Sequence, residues 1–228
     1  MKKLLAIIAL TFGIATVANA QLGIVGGFTS SSTSVNTQDV MSNLQNVSLY
    51  HVGAAYRIDL GSFLAVQPQL VYQVKGATLQ ENLKAESVDA AVSTLNTKAG
   101  YVELSAGVQA GIDLLVFRPF ILFEPFIGYQ VTGAEDYQPA VDAMTQNDKD
   151  AMNAYLDQAK NKLEYGFGVG GGVHLLDHFQ LTVQWFMNLG NLYSGDKIDS
   201  DAVKAAVVNN YKDIKNYQGI KVTLGLFF

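Results

Sequence analysis

The sequence predicts an all-β protein: an eight-stranded antiparallel up-and-down transmembrane β-barrel with short helices in its long outer loops. Apolar residues recur at every second position in eight separate runs, and the connections between these runs alternate between short and long. The last run ends on an aromatic residue, Phe228, with Ile220, Val222, Leu224 and Leu226 on the same face. A barrel in an outer membrane has this design, with an apolar face toward lipid and small or polar residues in the lumen.

The N-terminus has the organisation of a secretory signal peptide. Lys2 and Lys3 precede an apolar stretch, and Ala18-Asn19-Ala20 matches a cleavage site. We therefore expect a signal peptide over 1–20 and one barrel domain over 21–228. Removal of the two lysines changes the formal charge from −5 to −7, which argues against nucleic acid as a partner. The chain has no Cys, so neither a lipid-anchored cysteine nor a disulfide is expected.

Each predicted strand is a run of period-two alternation. The strands are placed near 22–29, 47–58, 63–75, 100–112, 120–131, 163–175, 179–190 and 218–228. Short connections at 59–62, 113–119 and 176–178 alternate with long ones at 30–46, 76–99, 132–162 and 191–217. Short turns are typical of the periplasmic end of such a barrel, and long loops of its outer end. The alternative is a soluble lipocalin-like barrel, which would carry its apolar face inside.

Six charged residues fall on the predicted inward face. They are Arg57, Lys75 and Lys221, and Glu103, Glu124 and Glu164. Equal numbers of the two signs suit a closed, neutral interior, since an unpaired buried charge is costly. From their distances to the short turns we predict contacts between Lys75 and Glu103, between Lys221 and Glu164, and between Arg57 and Glu124. A structural salt-bridge network is favoured over an ion path because an eight-stranded lumen is filled by side chains.

Aromatic residues on the outward face predict two interfacial girdles. Tyr50, Tyr72, Tyr129 and Tyr165 each lie eight residues from an apolar residue at the short-turn end, a rise of roughly 20 Å on a tilted strand. Phe123, Phe179 and Phe228 are expected to mark the inner interface.

Two features of the strands need explanation. Pro68 and Pro125 fall in mid-strand and remove a ladder donor, which a local bulge would accommodate. Inward glycines on the sixth strand, from Gly166 to Gly172, leave a recess. The recess receives aromatic side chains or holds a small apolar ligand.

Helical spacing of apolar residues occurs in the long connections, at 81–96, 139–163 and 199–211. These segments are expected to pack as a lid over the barrel or to form a surface that docks an extracellular protein or glycan.

The chain resembles the small outer-membrane β-barrel proteins of Bacteroidota, often called PorT-like or porin-family, whose fold is related to OmpA- and OmpX-type barrels. The resemblance rests on 66–76, with its Gln-Pro-x-Leu-x-Tyr-x-x-Lys-Gly pattern, on 51–56, on 125–129 and on the Phe-terminated last strand. Family members usually carry Glu where this chain has Gln69. The resemblance implies an outer-membrane location and makes Phe228 a signal for the barrel-assembly machinery. It implies no single activity.

The predicted function is a structural or surface-interaction role, with a largely closed lumen and outward loops. The alternatives are a narrow porin-like channel, a small-ligand-binding barrel and a lipid-modifying enzyme. We expect no catalysis, because His51, His174 and His178 have no convincing nucleophile and acid nearby in the sequence. No motif indicates a cofactor or a metal.

Overall fold

The protein forms a closed barrel of eight antiparallel strands, which confirms the predicted fold class. The computed structural model describes residues 20–33, 43–83, 91–138, 160–193 and 216–228, together with positions 147, 150, 153, 154 and 157. Each strand pairs with the next along the chain, and β8 pairs with β1 to close the sheet. The strands are β1 (Ala20–Ser32), β2 (Asn43–Leu60), β3 (Leu64–Leu83), β4 (Ala91–Gly111), β5 (Phe117–Gln138), β6 (Leu163–Leu175), β7 (Phe179–Asn188) and β8 (Gln218–Phe227).

The barrel is apolar outside and polar inside. Phe28, Ile121 and Leu224 are 72%, 70% and 65% exposed, whereas Gln67, Gln109 and Glu124 are buried. Period-two alternation produces this division, because successive side chains of a strand point to opposite faces of the sheet. A soluble lipocalin-like barrel would have the opposite polarity, so the structure contradicts that alternative. Within the described residues, no helix is long and apolar enough to span a membrane.

The strands β2 to β5 are longer than the sequence predicted, and this corrects one of the helix predictions. The ladder between β3 and β4 continues to the pair Leu83–Ala91, so 81–83 and 91–96 are extended and not helical. Apolar residues that recur every three or four positions over a short segment also fit a two-stranded hairpin, where cross-strand pairing decides the conformation. The helix predicted within 199–211 and most of the one predicted within 139–163 lie outside the continuous segments that the structure describes. The end of the latter, 160–163, is not helical, because Lys160 forms a bridge and Leu163 begins β6.

The two mid-strand prolines are accommodated without the expected bulges. On one side of Pro68 the β2–β3 pairing passes from Ala55–Gln69 directly to Ile58–Val66, and the register does not shift. Near Pro125 the β4–β5 pairing likewise passes from Ser105–Phe126 to Val108–Phe123. Each proline therefore lies at a local gap in one of its two ladders and stays paired in the other, Pro68 with Ala106 and Pro125 with Phe167.

The outer girdle follows the prediction in its positions. Tyr50, Tyr129 and Tyr165 are exposed on the outer wall, and the Tyr50 ring lies 6.4 Å from the half-buried Tyr72 ring. The Tyr72 hydroxyl is 3.1 Å from Oγ1 of Thr132 on β5. Tyrosines suit this height because the ring contacts lipid while the hydroxyl finds polar partners.

The inner girdle needs one correction. Phe179 begins β7 and is exposed at the short-turn end, as is Phe228. Phe123 lies midway along the outer wall of β5 between Phe117 and Tyr129, and its ring is 6.0 Å from that of Phe167. Phe123 thus belongs to a mid-wall aromatic cluster. Its assignment to the girdle failed because the sequence-based strand began at 120, three residues after the true start of β5.

Candidate functional site

The lumen is the candidate site, because the inward faces of all eight strands converge there. The six charged residues predicted to point inward are all buried: Arg57, Lys75, Glu103, Glu124, Glu164 and Lys221. They occupy three levels along the barrel axis, each with its own set of partners.

Lys75 is the centre of the outer level and is fully buried. Its Nζ donates to Glu103 Oε2 at 3.0 Å, to Glu164 Oε1 at 2.9 Å and to Asn188 Oδ1 at 3.2 Å. The predicted Lys75–Glu103 contact is therefore present. The Asn188 side chain also donates through Nδ2 to the second oxygen of Glu164. The ammonium thus has three acceptors, the number of hydrogen bonds it can donate.

Aromatic rings enclose this ammonium. The Nζ atom of Lys75 lies 5.5 Å, 4.6 Å and 5.1 Å from the ring centroids of Tyr101, Phe126 and Phe186. All three rings are buried inside the barrel. Faces of aromatic rings attract cations, so the cage stabilises the lysine and fills the space around it. Both effects close the lumen at this level.

Lys221 and Glu124 form the middle level. Lys221 Nζ donates to Glu124 Oε1 at 2.7 Å, and Glu124 also accepts from Gln69 Nε2 at 2.7 Å and Gln184 Nε2 at 3.2 Å. Gln69 is the position where the resembled family carries Glu. In this chain its amide is a donor to a buried carboxylate, and a second carboxylate there would repel Glu124.

The predicted pairing of Lys221 with Glu164 is wrong. Lys221 is level with Gln184 on β7, and Gln184 is level with Gly170 on β6, six residues from Glu164. Barrel strands are tilted and staggered, so distance from a turn along the chain does not give height in the barrel. Glu164 instead shares Lys75 with Glu103.

Arg57 lies at the periplasmic level. The predicted pairing of Arg57 with Glu124 is wrong, because Arg57 is paired with Asp59. Its Nη2 is 2.7 Å from Asp59 Oδ1, two residues further along the same face of β2. The second arginine of this level, Arg118, was missed by the sequence analysis. Its Nε is 3.1 Å from Asp113 Oδ1, and its Nη2 donates to the Phe63 carbonyl at 3.2 Å. Arg118 lies an even number of residues from Phe120 and Glu124, so it points into the lumen as they do. A strand predicted to begin at 117 would have included it.

Charge balances over the described lumen and its periplasmic rim. Five basic side chains face five acidic ones there: Arg57, Lys75, Arg118, Lys160 and Lys221 against Asp59, Glu103, Asp113, Glu124 and Glu164. Balance matters because an uncompensated charge in a low-dielectric interior costs several kcal/mol.

The outer end of the lumen is covered by chain beyond the strands. A backbone bridge joins Lys160 to Tyr193, and both residues are buried. Lys160 Nζ donates to Thr97 Oγ1 at 2.7 Å, and the Thr97 hydroxyl is 2.9 Å from that of Tyr217. Lys160 lies outside the alternating runs, so the sequence pattern gives no sign that it faces the lumen.

The glycines of β6 receive side chains from neighbouring strands. The space that a side chain would need at Gly166 is occupied by the Phe126 ring, and that at Gly172 by the Phe120 ring. Gln184 lies against Gly168 and Gly170. Of the two roles predicted for the recess, the structure shows the packing of aromatics.

The three histidines hydrogen-bond to neutral groups. His51 lies between the hydroxyls of Thr29 and Thr223, each 3.0 Å from a ring nitrogen. His174 Nε2 is 3.1 Å from Gln109 Oε1, and His178 Nδ1 is 2.6 Å from the Leu176 carbonyl. Within the described residues, no group of three His, Cys, Asp or Glu side chains is arranged to hold a metal ion.

With the fold and lumen described, the family can be assigned. A family model for the outer membrane protein beta-barrel domain matches residues 15–194, a span that includes β1 to β7. The chain belongs to this outer-membrane β-barrel family. Its location is accordingly the outer membrane, and the short turns face the periplasm.

Comparison with curated proteins gives no match. Among solved structures, the chain is similar to Ail, the attachment invasion locus protein of Yersinia pestis, in complex with the heparin analogue sucrose octasulfate, at 12% identity and a TM-score of 0.42 over 92% of this chain and 99% of that one. It is also similar to Neisserial surface protein A, at 12% identity and a TM-score of 0.41 over 92% and 99% of the two chains.

The outer level makes a prediction about stability. Lys75→Met leaves Glu103 and Glu164 as two buried carboxylates without a counter-charge, so we expect the free energy of unfolding to fall by about 3–5 kcal/mol. The measurement is urea unfolding in phosphatidylcholine vesicles, followed by the fluorescence of the single tryptophan, Trp185.

The exposed Lys98→Met on the same hairpin is the control, with an expected change within about 0.5 kcal/mol. Adding Glu103→Gln and Glu164→Gln to Lys75→Met should restore part of the loss, because no unpaired charge remains. Equal stability of Lys75→Met and Lys98→Met would contradict the role given to Lys75.

Proposed function

We propose that this outer-membrane barrel has a closed lumen and acts through the surface it presents outside the cell. One observation carries the proposal: Lys75 is fully buried at the outer level of the lumen, bound to two carboxylates and enclosed by three aromatic rings. A side-chain plug that satisfies its own charges leaves little reason for ions or solutes to enter. The protein's distinctive exposed parts then lie at its two ends.

The extracellular end supports an interaction role. Beyond Tyr72, β3 continues for eleven residues to Leu83, which is roughly 25–30 Å of strand above the outer girdle. It pairs with β4 over this whole length, and β4 pairs with β5 as far as Thr94–Gln138. The three strands form a stiff sheet that stands clear of the membrane. Such a scaffold suits the display of a binding surface for an extracellular protein or glycan.

The proposal includes no chemical step. The hydrogen-bond partners of the histidines are threonines, a glutamine and a backbone carbonyl, so none has the carboxylate that orients a catalytic base.

We also propose that the chain belongs to the PorT-like branch of Bacteroidota and that its last residue is read during assembly. The branch is supported by the Gln67–Gly76 pattern, whose Pro68 and Lys75 have defined places in the ladder and the lumen. Phe228 is 66% exposed at the end of β8, where its backbone N–H donates to the Leu22 carbonyl at 2.8 Å. An exposed terminal aromatic of this kind is accessible to the assembly machinery.

Single-channel recording in planar bilayers tests the closed lumen. We expect no steady ohmic steps from the folded protein, because charged and aromatic side chains fill the lumen at every level. Insertion is verified on the same preparation by flotation with lipid vesicles. Steady steps that scale with voltage would refute the closed lumen and favour a narrow porin-like channel.

Shortening the β3–β4 hairpin tests the surface role. Replacing 79–95 by Asn-Gly joins the paired residues Thr78 and Asn96 through a two-residue turn and retains the barrel register. The full-length protein in nanodiscs is expected to bind a member of an array of polysaccharides and extracellular-matrix proteins, and the shortened variant to lose at least tenfold in affinity for it.

The control for this experiment is Ser62→Ala in the opposite, periplasmic turn, which should leave binding unchanged. Both variants must retain resistance to unfolding by SDS at room temperature. Undiminished binding by the shortened variant would place the interaction elsewhere on the protein.

A further inference from the structure

The β4–β5 turn at the periplasmic end is unusually apolar. Ile112, Leu114, Leu115 and Val116 are 56%, 47%, 107% and 57% exposed. Periplasmic turns of barrels are short and face water, where Gly, Asn and Asp are the usual residues. Four exposed aliphatic side chains in such a turn therefore need a partner.

The second turn of this side also has exposed leucines, followed by the exposed Asp177 and His178, and it touches the first. The Leu176 N–H donates to the Val116 carbonyl at 3.0 Å, which joins the β6–β7 turn to the β4–β5 turn. Leu175 and Leu176 are 43% and 63% exposed. We call the combined patch the periplasmic apolar surface, and its residues are Ile112, Leu114, Leu115, Val116, Leu175 and Leu176.

Two leucines of this surface have an unusual backbone conformation. Leu115 and Leu176 have φ values of 60° and 52°, in the left-handed region that favours Gly or Asn. The β2–β3 turn has a glycine, Gly61, at its positive φ of 87°. Leucine is an unusual choice at two left-handed positions, and the apolar surface that these two side chains expose points to an apolar environment.

The one acidic residue of the β4–β5 turn has its charge compensated by an ion pair. Asp113 is ion-paired with Arg118, whose guanidinium bonds the Phe63 carbonyl across the mouth of the barrel. The Asp113 side chain is 59% exposed, but Arg118 supplies its counter-charge, so this turn carries no unpaired charge.

The height of the lipid-facing wall differs around the barrel. On β3, the eight steps from Leu64 to Tyr72 rise roughly 20 Å. On β5, the twelve steps from Phe117 to Tyr129 rise roughly 30 Å, against an apolar membrane band of about 25 Å. The Tyr72–Thr132 hydrogen bond ties the upper levels of the two strands together. The additional height of the lipid-facing wall on β5 therefore lies at the periplasmic end, where the apolar surface begins.

We propose that the periplasmic apolar surface inserts into the acyl chains of the inner leaflet, so that the β4–β7 side sits deeper and the barrel is tilted. We assign lipid as the partner because the surface adjoins the lipid-facing wall at the exposed Phe117, Ile121 and Phe179. On the other side, the β2–β3 turn has Gly61 and Ser62 at its tip between the exposed Leu60 and Phe63, and this tip stays at the membrane–water interface.

Site-directed labelling tests the insertion, and the absence of cysteine from the chain makes it direct. Leu115→Cys, Leu176→Cys and Ser62→Cys are each labelled with a nitroxide in phosphatidylcholine vesicles. Collision rates with oxygen, which concentrates in lipid, and with a water-soluble nickel chelate are then measured. We expect the labels at 115 and 176 to collide at least threefold more with oxygen than with the chelate, and the label at 62 to show the reverse preference. A chelate-accessible label at 115 would overturn the proposal and leave the surface free for a periplasmic protein.

A second variant tests the tilt without endangering the fold. Leu115→Asn with Leu176→Asn places residues that tolerate the left-handed conformation at both positions, so the turns should form as before. Removing the inserted side chains should raise the β4–β7 side and shift the depth of Trp185 in β7. Quenching by lipids brominated at different depths reports that shift, and Leu60→Asn on the opposite side is the matched control. An unchanged quenching profile in the double variant would contradict the tilt.

Discussion

The constraint on which this structure depends is charge compensation in a narrow lumen. An eight-stranded barrel has room for side chains but little for water, so each charge brought inside needs a partner within contact distance. Lys75 shows the consequence most clearly, with two carboxylates, one amide and three aromatic rings around a single ammonium. The closed lumen that we propose rests on meeting this requirement at three levels. The glycines of β6 serve the same end, because they make room for Phe120, Phe126 and Gln184.

In the closed barrel that we propose, the differences between its two ends are the basis for function. Outside the cell, β3, β4 and β5 extend as a paired sheet well above the tyrosine girdle. On the periplasmic side, two turns of neighbouring hairpins place exposed leucines at left-handed backbone positions, Leu115 and Leu176. The sheet is suited to contact other molecules, and the turns are suited to set how the barrel sits in the membrane. The orientation of the sheet above the membrane surface depends on how the barrel is inserted in the membrane.

Much of the fold, but less of the site, was accessible from the sequence. Which residues face the lumen follows from period-two alternation alone, so the burial of Lys75, Glu103 and Glu124 was predictable. Which charges meet depends on strand stagger, which alternation does not contain; Lys221 therefore contacts Glu124 and not Glu164. The ends of the strands were also predicted poorly from the sequence. A late start for β5 concealed Arg118, and residues 81–96 were given a helix because short apolar spacings fit both structures.

The central claim is that each lumen charge is held by a specific partner at its own level. A pair of double-mutant cycles measures this directly, combining Lys221→Met with Glu124→Gln in one cycle and with Glu164→Gln in the other. The account predicts a coupling energy of about 1–3 kcal/mol for Lys221 with Glu124, and less than about 0.5 kcal/mol for Lys221 with Glu164. Strong coupling to Glu164 and none to Glu124 would contradict it.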